Sequence, residues 1–309
     1  MSNVARRVVI AGGTGFLGQS LARSLESSGD DVVVLGRRDP GARVAGRFVP
    51  WDARTLDDAW VAELDGAAAV VNLAGRTVDC IKTPEHCDEI LRSRVDATRA
   101  VGRALQHVTA PPPVWVQMST AHRYGDPPEV VCDESSAFGY GLAPTVGAAW
   151  EAAHDDTRPS GVRSVVLRTS FVLGSTGGAF TRLAALVRLG LGGTVGHGRQ
   201  GMSWLHEADM NAIVQRAIDD VSMNGAYVVT APNPVSNREF MRAMRRAARM
   251  PIGLPAPGVL VRLGAPLVMR TDPELALYGR YCVPTRLLEA GYEFRFATID
   301  DAFTDLYAR

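Results

Sequence analysis

Short apolar runs rich in β-branched residues alternate along the first half of the chain with longer stretches whose apolar positions recur at helical spacing. The runs predict strands and the stretches predict helices, since a buried strand is continuously apolar whereas a helix buries one stripe. The predicted strands are 7–11, 31–36, 46–50, 68–73, 113–118 and 163–169, and the predicted helices are 15–28, 55–63, 84–108 and 143–158. This alternation predicts an α/β fold with a doubly wound parallel sheet.

The pattern changes from about residue 172. Glycine-rich loops flank an apolar helix, a strand and a further helix follow, and short proline-interrupted helices occupy the last part. The elements predicted here are a helix at 179–189, a strand at 227–230, a helix at 237–249 that follows a turn at 233–237, and a short strand at 292–296. In a doubly wound fold these later loops lie beyond the carboxyl ends of the strands and can close over a ligand there.

The first strand ends in a glycine turn that carries the most specific chemistry in the chain. Residues 7–18 read RVVIAGGTGFLG, which predicts a strand, a tight turn and a helix start. The free N–H groups and positive dipole of a helix start bind phosphate, and glycines allow close backbone approach. We therefore predict a Rossmann-type dinucleotide site, whose residues here are Gly12, Thr14, Gly15, Phe16, Leu17 and Gly18.

The end of the second strand discriminates between the two nicotinamide cofactors. An acid there would bind the ribose 2′-hydroxyl of NAD, but the chain has Arg37 and Arg38 after Gly36. Arginine suits a 2′-phosphate, so the sequence favours NADP over NAD. Asp52, after the third strand, is a candidate acceptor for the adenine amino group and is equally readable as a surface carboxylate.

Two later strands end in candidate site residues. Leu73, Ala74 and Gly75 form a small turn that would let the backbone approach a cofactor ribose. After the fifth strand come Ser119, Thr120 and Tyr124, whose hydroxyls could bond a substrate oxygen. His206 lies in a second polar cluster beside Asp209, near a helix start, where an acid would also favour the helix dipole. Ser119, Thr120, Tyr124 and His206 are the candidate catalytic residues.

Composition narrows the class of protein. The chain has 309 residues, 46% of them hydrophobic, and a formal net charge of zero, which disfavours nucleic-acid and membrane-surface binding. The apolar stretch after Arg6 and Arg7 is too short for a signal sequence, so we expect a cytoplasmic protein. Four scattered cysteines predict free thiols, and no ligand spacing predicts a metal.

Several motifs in order resemble one family. They are GGTGFLG, NLAG at 72–75, SxxxxYG at 119–125, Trp150-Glu151, GGTVGHGRQ at 192–200 and SWLHEAD at 203–209. The chain resembles atypical extended short-chain dehydrogenase/reductases of the NAD-dependent epimerase/dehydratase-like family, and residues 270–294 resemble the small C-terminal domain of the epimerase subgroup. The resemblance implies an NADP-binding Rossmann domain mainly over 1–171, with a smaller substrate-side region and C-terminal domain over 172–309. Some later segments are expected to return to the core.

One departure from that family concerns the chemistry. Well-characterised members use Tyr-x-x-x-Lys, in which the lysine lowers the tyrosine pKa. The single lysine here is Lys82, with Val78 four residues before it, and Ala143 and Gly147 stand where the tyrosine and lysine are expected, counting back from Glu151. Ser119 or Thr120 keeps the hydroxyl position. His122, Lys82, Tyr124 and His206 are the candidate substitutes for the missing acid and base.

The sequence thus supports two functions. The first is an NADP(H)-dependent oxidoreductase or epimerase acting on a small hydroxyl or carbonyl substrate, a nucleotide sugar among the options. The alternative is a non-catalytic NADP(H)-binding sensor or scaffold, which the missing Tyr-x-x-x-Lys pair favours. Helices 84–108 and 143–158 could also pair in a homodimer, with Gly147 allowing close approach.

Overall fold

The computed structural model describes residues 5–41, 44–127 and 130–308. The strands are β1 (Arg7–Ala11), β2 (Asp31–Gly36), β3 (Arg47–Pro50), β4 (Ala69–Asn72), β5 (Val114–Thr120), β6 (Val131–Cys132), β7 (Arg163–Thr169), β8 (Phe171–Leu173), β9 (Gly201–Met202), β10 (Trp204–His206), β11 (Gly225–Val229), β12 (Val235–Ser236) and β13 (Tyr281–Cys282).

The helices surround and extend this set of strands. They are α1 (Phe16–Ser27), α2 (Asp58–Val61), α3 (Pro84–His107), α4 (Leu142–Thr157), α5 (Gly178–Arg188), α6 (Glu207–Asp219), α7 (Asn237–Ala247), α8 (Gly258–Gly264), α9 (Glu274–Leu277), α10 (Thr285–Glu289) and α11 (Ile299–Ala308). A 3₁₀ turn at Ala121–Tyr124 follows β5, and a π-helical turn at Ala265–Met269 follows α8. Among the described helices, none is long and apolar enough to span a bilayer.

Seven strands form one parallel sheet in the order β3-β2-β1-β4-β5-β7-β11. This confirms the predicted doubly wound sheet. The chain crosses from one side of the sheet to the other between β1 and β4, and in such folds the ligand crevice opens at that switch point. β11 lies beyond residue 172 and still pairs with β7, so a later segment does return to the sheet.

Both faces of the sheet are covered, which explains why its strands are continuously apolar. Val8 and Ile10 pack into one core with Leu21 of α1, whereas Val9 packs into the other with Val101 of α3. All five side chains are almost fully buried. Successive strand residues point to opposite faces, so a strand that is apolar at every position requires helices on both sides.

Helices that begin with a strong capping signal lie where the sequence predicts them. Thr83 caps α3 by accepting a hydrogen bond from the His86 N–H at 3.2 Å, and Pro84 occupies the first helical position. Ser236 and Glu239 form a reciprocal capping box at the start of α7. These two helices were predicted to within two residues at each end.

One predicted helix is shorter in the structure, and one predicted strand is wrong. The helix predicted at 55–63 is the single turn α2, because Asp57 caps it and the Asp52 carboxylate holds a turn at Arg54 and Thr55 just before it. The segment 292–296 is not a strand, since the N–H groups of Arg295 and Phe296 donate to the Asp209 carboxylate at 2.8 and 3.0 Å.

Candidate functional site

The glycine turn leads directly into the start of α1. The helix begins at Phe16, Gly15 is its N-terminal cap, and no side chain caps it. A Cβ added at Gly15 would meet one atom, the Gly12 carbonyl oxygen at 3.6 Å, so space is open over the helix start. Free N–H groups, a helix dipole and open space together can accept an anion, and the pyrophosphate site stays a prediction.

Gly12 and Gly18 have no room for a side chain, because neighbouring backbone atoms lie too close. Gly12 has φ +77°, and a Cβ there would lie 2.8 Å from the backbone nitrogen and Cα of Ala74. A Cβ on Gly18 would lie 2.4 Å from the Gly13 Cα. The turn therefore holds β1, β4 and α1 at distances that admit only glycine at these positions.

One of the two arginines after the second strand lies at the cleft. Gly36 closes β2, and exposed Arg37 lines the same cleft as the glycine turn, whereas Arg38 is exposed and is not among the described residues that line it. Asp52 lines the cleft, but its carboxylate already accepts from the Arg54 and Thr55 N–H groups and the Thr55 hydroxyl, at 2.7–2.9 Å. Its role in the structure is to shape the loop there.

Arg94 is a cleft residue that the sequence reasoning missed. Its guanidinium donates to the Ile90 carbonyl oxygen at 3.0 Å and lies 5.1 Å from the Trp150 ring centre, beside Gly75. Burial lowers its pKa to about 10, and no carboxylate among the described residues offsets this. In the sequence Arg94 sits among other polar residues of a long helix, so nothing local distinguishes it from a surface arginine.

A buried ionic cluster lies behind the end of β5. The Arg168 guanidinium donates to both Glu151 carboxylate oxygens at 3.0 and 3.1 Å, and Arg123 pairs with the same carboxylate. The Ser119 hydroxyl donates to Glu151 at 2.6 Å. Burial, with the charge of Arg168, lowers the pKa of Arg123 to about 10. Two cations share one anion here, so the cluster places net positive charge directly behind the cleft.

Only two of the four candidate catalytic residues reach the cleft. Ser119 and Thr120 line it, whereas Tyr124 and His206 are not among the described residues that do. The Tyr124 hydroxyl accepts from Arg168 at 3.1 Å, and burial raises the pKa of this tyrosine, which opposes phenolate formation. His206 is fully buried, caps α6 by accepting from the Ala208 N–H, and has its Nε2 3.3 Å from the Asp305 carboxylate.

The two remaining candidates for acid and base also line the cleft. Burial, with the charge of Arg280, lowers the pKa of His122 well below its usual value, so this imidazole is neutral at pH 7. The Lys82 ammonium donates to the carbonyl oxygens of Val78 and Cys80, which hold it at the loop. The neutral imidazole of His122 therefore cannot act as a cationic acid at neutral pH.

Ala143 and Gly147 stand at the two positions where the family has tyrosine and lysine. Ala143 lines the cleft, and a Cβ added at Gly147 would lie 3.0 Å from the Arg123 Cβ and 3.3 Å from the Thr120 Cγ2. A side chain at this position would therefore press on Arg123, which pairs with Glu151. Contacts within its own chain therefore explain why residue 147 is a glycine, without a contact to a second subunit. The homodimer stays a prediction.

All these strand ends open into one cleft of about 1740 Å³. That volume exceeds a usual single-ligand pocket of roughly 300–1,000 Å³, and leaves room for a second molecule beside a dinucleotide. The predicted residues brought together in it are Gly12, Thr14, Gly15, Phe16, Leu17, Gly18, Arg37, Asp52, Leu73, Ala74, Gly75, Ser119 and Thr120. Within the described ranges, no group of three or more His, Cys, Asp or Glu side chains could hold a metal ion, and all four cysteines are free thiols.

Most of the chain is similar in sequence to known proteins. The profile of the NAD dependent epimerase/dehydratase family matches residues 8–230, and a domain of unknown function, DUF1731, matches residues 256–306. The Epimerase family protein SDR39U1 of Bos taurus is 32% identical over 307 residues, covering 98% of this chain and 100% of that protein. Epimerase family protein MT2273 of Mycobacterium tuberculosis is 32% identical over 296 residues, covering 96% and 95%.

Solved structures share the fold over nearly the whole chain. The human epimerase family protein SDR39U1 (isoform 2), crystallised with NADPH, has a TM-score of 0.86 at 28% identity, covering 98% of this chain and 99% of that one. WbmH of Bordetella bronchiseptica, solved with NAD⁺, has a TM-score of 0.72 at 20% identity, covering 97% and 96%. The second likeness is one of fold alone, and the two proteins hold different nicotinamide cofactors.

Proposed function

Because this chain belongs to the NAD-dependent epimerase/dehydratase family, we propose that it is an NADP(H)-dependent oxidoreductase or epimerase acting on a small hydroxyl- or carbonyl-bearing substrate. The observation that carries the proposal is the uncapped start of α1 with open space over Gly15, in the same cleft as Arg37 and the Thr120 hydroxyl. Phosphate-binding backbone, a cation for the 2′-phosphate and a polar group for a substrate oxygen then lie around one volume.

Each group has a distinct task in this proposal. The N–H groups at the start of α1 would hold the pyrophosphate, and Arg37 would pair with the 2′-phosphate. The chemistry that NADP(H) would supply when bound is the donation or acceptance of a hydride. The Thr120 hydroxyl accepts from the His122 N–H at 3.1 Å, which leaves its own hydrogen available to a substrate oxygen. The positive cluster of Glu151, Arg123 and Arg168 behind it favours negative charge developing on that oxygen.

Replacing Arg37 tests the cofactor preference. We expect Arg37→Ala to weaken NADPH binding by about 10- to 100-fold and to leave NADH binding nearly unchanged, because a charge-assisted contact to the 2′-phosphate is lost. Fluorescence titration with both cofactors measures this. Arg38→Ala is the matched control, since Arg38 is exposed and lies outside the cleft lining. Equal losses for NADPH and NADH in Arg37→Ala would contradict the assignment.

Replacing Thr120 tests the polar contact to substrate. We expect Thr120→Val to lower kcat/KM about 10- to 100-fold while the NADPH dissociation constant stays unchanged, because a positioned donor to the reacting oxygen is removed. Thr120→Ser keeps the hydroxyl and should retain most activity. Steady-state kinetics of both variants decide the point. Unchanged kcat/KM in Thr120→Val would remove Thr120 from the proposed reaction.

A second candidate function is a non-catalytic NADP(H)-binding sensor or scaffold. It is favoured by Ala143 and by Gly147, which packs against Arg123 and Thr120 in the place of the family's lysine. Deuterated NADPH and a panel of carbonyl compounds and nucleotide sugars separate the two functions. Label recovered in any product supports the enzyme, whereas tight NADPH binding with no label transfer across the panel supports the sensor.

A further inference from the structure

The charged residues that line the cleft are distributed unevenly. Around the cofactor half, the glycine turn is accompanied by four arginines and two carboxylates, which are Arg37, Arg54, Arg76, Arg94, Asp52 and Asp96. The other half is lined by three cations and four carboxylates, which are Lys82, Arg182, Arg280, Asp79, Asp126, Asp272 and Glu274. A second anionic molecule would therefore meet more negative than positive charge in that half.

The cations of the substrate half are also engaged within the protein. Arg182 pairs with Asp79. Arg280 is buried, donates to the Gly125 carbonyl oxygen at 2.6 Å and pairs with Asp126. An arginine fork binds a diphosphate strongly when it is free to bond two oxygens at once. A nucleotide sugar would have to displace these internal partners.

One wall of the substrate half is apolar. Leu183 and Leu186 come from α5, and Phe240 and Met241 come from α7, where their side chains are otherwise buried. Leu260 of α8 and Val268 of the following turn add apolar surface that is 62% and 82% exposed in the structure. Exposed apolar side chains on a cleft wall gain most from an apolar ligand that covers them.

From the charge and the lining together, we infer that the substrate half binds an apolar carbonyl or hydroxyl compound, with an alkyl or ring body against α5, α7 and α8, rather than a nucleotide sugar. The reaction of this compound rests on the proposed function, whereas its binding is argued from the cleft lining alone. It assigns the basic half to the phosphates of the cofactor and the apolar half to the substrate.

A series of straight-chain alkyl carboxamides tests this class, because an amide carbonyl resembles the substrate group but is not reduced. Calorimetry with NADP⁺-saturated protein should show affinity rising about two- to fourfold for each added methylene, from about four to about ten carbons. UDP-glucose should bind more weakly than the longest amide. Leu260→Asp should flatten the dependence on chain length, whereas Leu263→Asp should preserve it.

Leu263 is a matched control because it lies on the same helix, is 61% exposed and is not among the described residues that line the cleft. Affinity independent of chain length, or tighter binding of UDP-glucose, would overturn the inference. Parallel assays of NADPH oxidation with the corresponding aldehydes test the reaction separately. Chain-length-dependent amide binding without aldehyde reduction would leave the apolar class standing while the proposed reaction failed. If NADP⁺ does not bind, the same series without cofactor still decides the class.

Discussion

Replacing Glu151 with glutamine is expected to lower the free energy of unfolding by about 3–5 kcal/mol, because it leaves two buried guanidinium groups without a countercharge. The side chains of Arg123 and Arg168 are 4% and 9% exposed, so water cannot replace the carboxylate. The Ser119 hydroxyl also loses its charged acceptor. Urea unfolding followed by circular dichroism measures the change.

The matched control removes the same charge from an exposed pair. Asp300 pairs with Arg246 at 2.6 Å, and their side chains are 54% and 62% exposed. Exposed pairs contribute at most about 1 kcal/mol, so Asp300→Asn should change stability little. A loss below about 1 kcal/mol in Glu151→Gln would mean that the cluster is relieved by water or by rearrangement of the arginines.

Replacing Gly12 with alanine is expected to lower stability by about 2–4 kcal/mol and to weaken NADPH binding at least tenfold, because a positive φ and a backbone collision act together. The new Cβ would press on Ala74, which itself lines the cleft, and would separate β1 from the end of β4. Urea unfolding and NADPH titration of the same preparation give the two quantities.

Gly29→Ala measures the cost of a positive φ without a collision. Gly29 has φ +90°, but a Cβ there would meet no atom within 4 Å. We expect a loss of about 1 kcal/mol with unchanged NADPH affinity. If Gly12→Ala behaves like Gly29→Ala, the close approach to Ala74 is not a determinant of the site.

The features that could be predicted from sequence are those with a local physical cause. Thr83 and Pro84 start a helix wherever they stand, and the continuous apolar run Val8–Ile10 requires cover on both sheet faces. Predictions were weaker where local signals are short: the helix expected at 55–63 is one turn, and the backbone of 292–296 bonds a carboxylate instead of a neighbouring strand.

By itself, the sequence determined the doubly wound sheet, and it predicted that the glycine turn and Arg37 lie at one cleft. Apolar periodicity, glycine geometry and the position of a strand end are all local features of the sequence. Only the tertiary structure decided which polar groups meet. It buries Tyr124 and His206 away from the cleft, joins Glu151 to Arg123 and Arg168, and brings Arg94 to the cleft wall. Those outcomes depend on side-chain directions and on packing between segments distant in the chain, which no local pattern encodes.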